Sequence, residues 1–177
     1  ITLRFWRLVL ASGEPDRLHA KCVGVALAVG CASLAGVFGA VLADQPELAR
    51  TFVVTALWGF IVTVFVTVAH RMIPFFTSSA VPMVALWRPF WVLHVMLAVA
   101  GFEAASAWIE LATDAAAWHG IRGAFEVTAG GGVFWLAIAW GLVQSLKVRL
   151  VAMLHIGFCW LGVGLLLSGG SHLAQAL

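Results

Sequence analysis

The chain is 177 residues long, 63% hydrophobic and only 10% charged, with 9 Trp, 12 Phe and a mean hydropathy of +1.04. That composition excludes an ordinary soluble domain and describes an integral membrane protein. Ten Lys and Arg against eight Asp and Glu are too even a balance for nucleic-acid binding, so partners are sought in the lipid bilayer and among other membrane helices.

The chain opens Ile1-Thr2-Leu3-Arg4-Phe5-Trp6-Arg7, with no initiator methionine and no signal-peptide pattern, as expected of a processed or partial chain. A spanning helix needs about 20 mostly apolar residues. Five segments qualify: Cys22 to Ala43, Thr51 to Ala69, Pro89 to Ile109, Phe125 to Leu146 and Leu150 to Gly169. The expected fold is therefore all-α, a polytopic transmembrane helical bundle of about five spans forming one unit over residues 1–177. The connections, including the loop around Pro82 and the acidic loop around Asp114 and His119, are too short for a further domain. If the start of the chain is cytoplasmic, Arg4, Arg7, Arg17, Lys21, Arg71, Arg88, Lys147 and Arg149 share that side, leaving Arg50 and Arg122 outside. The positive-inside rule selects this orientation, start in and end out.

Small residues recur every four positions on the first span, at Gly24, Ala28, Ala32, Gly36 and Ala40. The second span carries Thr51, Thr55, Gly59, Thr63 and Thr67, with Arg71 four residues on. Such stripes let helix backbones approach closely; the alternative for the second is a polar path toward Arg71. Gly130-Gly131-Gly132 would loosen or closely pack the fourth span.

His70-Arg71-Met72-Ile73-Pro74-Phe75-Phe76-Thr77 places a histidine and an arginine at the end of an apolar run, with Pro74 expected to stop the helix. Arg71 is a candidate partner for an anionic cofactor edge, or else snorkels to the interface. His94 and His155 each lie six residues past an arginine, Arg88 and Arg149, so both are expected about 9 Å into their helices. Two imidazoles at one depth suit a haem or metal, His70 ends near the same face, and Cys159 adds a soft donor one turn beyond His155. The competing reading makes each a hydrogen-bonded interior histidine, and Cys159 a packing residue. His19, His119 and His172 are read as solvated residues at or beyond helix ends. Glu103, roughly 22 Å along its helix from Arg88, is read as a solvated helix end or a proton relay. The three cysteines form no CxxC pair and are expected to be reduced. Walker, GxGxxG, HExxH and Ser/His/Asp signatures are absent.

The string His70 to Thr77, with Leu150-Val151-Ala152-Met153-Leu154-His155-Ile156-Gly157-Phe158-Cys159-Trp160-Leu161-Gly162, resembles the NnrS family of bacterial membrane proteins. The resemblance implies a haem- and copper-containing protein of about a dozen spans in the bacterial inner membrane. This chain would form its central portion, linked to nitric oxide and nitrosative stress in a denitrifying or nitric-oxide-exposed bacterium. By motif position His70, Arg71, Pro74 and His155 carry over, whereas His94 rests on its depth alone. Expected ligands are thus His70, Arg71, His94 and His155 for haem b, and His94, His155 and Cys159 for a metal. The alternatives are a cytochrome b-like electron-transfer subunit, or a non-redox accessory subunit docked on a larger complex.

Overall fold

The computed structural model describes residues 2–13, 17–81, 84–113 and 115–177. Pro82 and Asp114, which the sequence places in loops, lie outside the described residues. The described residues are helical, with no strand among them. The helices are α1 (Thr2–Ala11), α2 (Leu18–Leu42), α3 (Pro46–Ala56), a π-helical segment (Leu57–Val62), α4 (Thr63–Ala80), α5 (Phe90–Ala112), α6 (Ala116–Ala139), α7 (Leu142–Ser145) and α8 (Arg149–Gln175). From Pro46 to Ala80 the helix runs unbroken for 35 residues. Among the described residues, four helices are long and apolar enough to cross a membrane: Leu18–Leu42, Pro46–Ala80, Phe90–Ala112 and Arg149–Gln175. The chain divides into two compact units, Ile1–Val68 with Trp91–Thr113, and Ala69–Phe90 with Asp114–Leu177.

In the first unit, α2 packs on α3 and the π-helical segment through glycines. A Cβ on Gly30 would come within 2.8 Å of the Phe60 ring, one on Gly59 within 2.8 Å of Val29, and one on Gly36 would collide with Phe52. Ala28 and Ala32 are exposed, whereas Ala26, Ser33 and Ala40 are buried, so the predicted four-residue stripe is corrected to a seven-residue one. Geometry accounts for the difference. At about 100° per residue a four-residue step drifts about 40° each time, whereas seven residues return within about 20° to the same face.

The threonine stripe is satisfied within its own helix. Thr51, Thr55, Thr63 and Thr67 donate to the carbonyls of Glu47, Thr51, Trp58 and Thr63 at 2.6–3.0 Å. Thr63 reaches back five residues because it follows the π-helical segment. Thr55 also accepts from Trp108 Nε1 at 2.9 Å, tying α3 to α5. These hydroxyls are thus hydrogen-bonded to their own helix, while Thr55, Gly59 and Thr63 also line a cavity beside α2 and α5.

Pro74 lies inside α4, not at its end. A proline costs a helix its own N–H and the bond to the carbonyl four residues back. Here the following turns are braced by hydroxyls, with Thr77 donating to the Ile73 carbonyl and Ser78 and Ser79 to that of Phe75, at 2.8–3.1 Å.

The second unit is dominated by antiparallel α6 and α8. Its buried positions follow a seam of alternating three- and four-residue steps: His119, Gly123, Glu126, Gly130, Val133 and Ala137 on α6, and His155, Phe158, Gly162, Leu165 and Gly169 on α8. Glycines set the separation. A Cβ on Gly123 would lie 2.8 Å from the Gly169 carbonyl oxygen, one on Gly169 2.8 Å from that of Gly123, and one on Gly130 3.0 Å from that of Gly162. The apolar run that predicts a span from Phe125 to Leu146 is displaced: α6 begins at Ala116, and Gly141 breaks the chain at φ 92° before the short α7. A side chain at Gly141 would be strained by that φ and would press on Thr77 and Val84 at 3.0–3.2 Å.

Gly123→Val should therefore force α6 and α8 apart and cost about 1–3 kcal/mol. Gly131→Val, where an added Cβ meets nothing within 4 Å, should change stability by under about 0.5 kcal/mol. Unfolding of the two variants in detergent, followed by far-UV circular dichroism, checks the contrast.

Candidate functional site

The predicted ligands differ in burial: His70 and His155 are buried, whereas Arg71 and His94 are exposed. His155 is fully buried on α8, with Nδ1 3.1 Å from the Val151 carbonyl oxygen. Its Nε2 is buried and meets no hydrogen-bond partner among the described residues, although the Trp140 main chain lies near the ring. Trp140, 1% exposed, stacks obliquely on Phe158 at 5.3 Å between ring centroids. On its other side it meets His70 edge-on at 6.2 Å. His70 is also fully buried, and its Nε2 lies 3.1 Å from the Pro89 carbonyl oxygen. Trp140 thus meets His70 through its ring and His155 through its main chain, and His70 lies within a continuing helix rather than at a helix end.

Arg71 is exposed on α4, and Cys159 is half-buried one turn beyond His155 without a disulfide. His94 is exposed on α5 and belongs to the first unit, while His155 belongs to the second. Equal distance from an arginine fixes depth along a helix but not the direction a side chain faces, and His94 falls off the buried positions Val92, Leu93 and Met96.

A second polar centre was not legible as such in the sequence. Glu126 is fully buried on α6. Its Oε1 accepts from Ser168 Oγ at 3.0 Å and pairs with Arg122 Nε at 3.2 Å, and its Oε2 accepts from His172 Nδ1 at 2.6 Å. The rings of His119 and His172 lie 5.9 Å apart and within 9° of parallel. His119 is buried on α6 and His172 lies within α8, so both depart from the solvated positions at or beyond helix ends expected of them, and Arg122, placed on the outer side by the topology, is buried on α6. His19 is likewise buried, on α2, and Glu103 is fully buried on α5 rather than at a solvated end. The signal lay in spacing: His119, Gly123, Glu126 and Gly130 fall on one helix face, as do Gly162, Gly169 and His172.

Apolar helices long enough to cross a bilayer, with histidines and carboxylates turned inward, define a polytopic helical membrane protein. Within that class the match is to one family: the family model described as NnrS protein covers residues 1–177, and the chain belongs to the NnrS family. No curated protein and no solved structure matches it.

Replacing Glu126 by Leu strands the Arg122 guanidinium in the α6–α8 interface. Loss of one member of a buried ion pair costs about 3–5 kcal/mol, whereas Ser168→Ala removes one hydrogen bond at about 1 kcal/mol. Denaturant titration in detergent should rank Glu126→Leu well below Ser168→Ala in stability.

Proposed function

We propose that this chain is a haem-binding protein of the bacterial inner membrane acting in the response to nitric oxide, with its start on the cytoplasmic side and His155 as the axial donor. One observation carries the reading, the chemical state of His155. A proton on Nδ1, assigned from its contact with the Val151 carbonyl, leaves the lone pair on Nε2, the buried nitrogen without a hydrogen-bond partner among the described residues. An unsatisfied buried polar atom costs about 1–3 kcal/mol. Coordination to iron answers that cost, and a carbonyl behind the opposite nitrogen is the usual way a ligating imidazole is held.

The chain's own residues orient and shield. Val151 fixes the ring tautomer, while Trp140 and Phe158 keep water from the same region. Arg71 is the candidate partner for a propionate, through the paired hydrogen bonds a guanidinium offers a carboxylate. A haem bound there would supply iron that, when reduced, binds nitric oxide. His70 Nε2 is engaged with Pro89 and His94 is exposed, so a single protein donor is favoured. That favours gas binding over the two-histidine arrangement of an electron carrier. A second reading, Cu(I) held by His155 and Cys159, draws on their four-residue spacing on one helix face.

The visible spectrum of the detergent-purified protein, oxidised, reduced and exposed to nitric oxide, tests these readings. The expected result is a Soret band that shifts with nitric oxide and is lost in His155→Ala but kept in His94→Ala. A haem band indifferent to nitric oxide would favour electron transfer. Copper without a Soret band, lost in Cys159→Ala, would favour the second reading, and neither metal nor Soret band would leave a non-redox accessory subunit.

A further inference from the structure

We propose that the first unit holds one acyl chain of an anionic phospholipid in a groove between α2, the π-helical segment and α5, with the lipid headgroup paired to Lys21. The groove has a volume of about 570 Å³ and is walled by Val25 and Val29 of α2, Gly59 of the π-helical segment, and Leu97, Gly101 and Ala104 of α5. Its two threonines add little polarity, because Thr55 and Thr63 donate to the Thr51 and Trp58 carbonyls of their own helix. A Cβ added at Gly101 would meet nothing within 4 Å, so the missing side chain there leaves the space open. Gly101, Ala105 and Trp108 are exposed, which puts the groove in contact with surrounding lipid.

Length and charge select this occupant. Gly59 marks the middle of the groove, since a Cβ there would lie 2.8 Å from Val29 and 4.0 Å from Ala104. The pairs Gly30 with Phe60 and Gly36 with Phe52, and Gly59 with Ala104 and Thr55 with Trp108, show that α2 and α5 both run antiparallel to the helix between them. Lys21 precedes Val29 on α2 by about 12 Å, and Trp108 follows Ala104 on α5 by about 6 Å, so the groove is about 18 Å long. That is close to one leaflet, half of a hydrocarbon core about 30 Å thick. The inner end is closed where Trp108 Nε1 donates to Thr55 Oγ1 at 2.9 Å and the Trp108 ring meets Phe52 edge-on at 5.0 Å. A spanning helix would need an open face across the whole bilayer, whereas an acyl chain needs a single leaflet. At the other end Lys21 is exposed, pairs with no carboxylate among the described residues and is the one charged residue lining the groove. Phe5 and Trp6 of α1 lie 3.0–3.1 Å from where a Gly24 Cβ would stand, which brings the exposed Arg4 and Arg7 to the same end. Cations at a membrane surface attract anionic headgroups, and a lysine reaches them while its stem lies along apolar surface.

The full chain in detergent, titrated with phosphatidylglycerol or with phosphatidylcholine of the same acyl chains and followed by native mass spectrometry, tests the proposal. One phosphatidylglycerol per chain is expected, bound about fivefold or more tightly than phosphatidylcholine, the factor one cation contributes near an anionic surface. Lys21→Gln should remove that preference and leave phosphatidylcholine unchanged. Gly101→Leu fills the groove and should weaken both lipids by about tenfold or more, the loss of two or so buried methylenes. Ala105→Leu, on the same wall, should do likewise and stands in for it if Gly101→Leu loses its helical circular dichroism. Gly39→Leu, where an added Cβ also meets nothing within 4 Å but which lies outside the groove, should alter neither lipid. Inorganic phosphate, which lacks the chain, should not displace the lipid. Equal affinity for the two lipids, or a preference that survives Lys21→Gln, would overturn the proposal. So would lipid binding undiminished in the folded filling variants, including the case in which they change the oligomeric state instead, which would mark this face as a contact between copies of the chain.

Discussion

The close approach of α6 and α8 is the constraint on which the second unit rests. Lipid is as apolar as a leucine side chain, so these helices gain nothing by hiding apolar surface from each other; contact energy comes from backbone proximity and from polar groups with no better partner. Gly123 faces Gly169 and Gly130 faces Gly162, each pair spaced by seven residues on both helices and run in opposite directions. One seven-residue repeat therefore fixes the register along the interface. With the register fixed, Glu126 comes within reach of both Ser168 and His172, whereas a shift by a single turn would leave only one of the two opposite its carboxylate.

The same requirement, that polar groups be satisfied internally, explains the irregular backbone of Pro46–Ala80. This helix contains a π-helical segment and a proline, each of which disturbs the carbonyl ladder. Hydroxyls stand near both disturbances. Thr63 answers the Trp58 carbonyl within the π-helical segment, and Thr77, Ser78 and Ser79 brace the turns after Pro74. The serine and threonine content of this helix is thus tied to its geometry, not to a route for ions or water.

Much of the architecture was legible in the sequence because hydropathy over about 20 residues measures what the bilayer measures. Apolar runs locate α2 and α5 to within about four residues of their ends, and they find the Pro46–Ala80 helix and α8 but stop 11 and 6 residues short of their C-terminal ends. What hydropathy cannot read is which way a polar residue faces. His119, Arg122 and Glu126 dilute the start of α6, so the apolar window slides toward Leu146 and leaves His119 in a loop, although it lies on the buried face of a helix. His94 and His155 show the limit from the other side: nearby arginines speak to depth alone, and of the two only His155 is buried while His94 is exposed. Pro74 misled because a proline removes only one helical bond, to the carbonyl four residues back, and α4 continues past it to Ala80.

The α8 seam begins at His155 and its spacing continues to His172, so one helix presents imidazoles near both of its ends. Their surroundings differ in a way that matters chemically. The backbone carbonyl that anchors His155 carries only a partial charge, and the ring sits among Trp140 and Phe158, an environment hostile to a net charge. A group entering there must be neutral or bring its own compensation, as a metal within an anionic macrocycle does. His172 is anchored instead by a carboxylate already paired with Arg122, at a place with some exposure. Two histidines on one helix therefore differ in what stands behind each ring, and that second layer of contacts is set by the register of the glycine-paired helices.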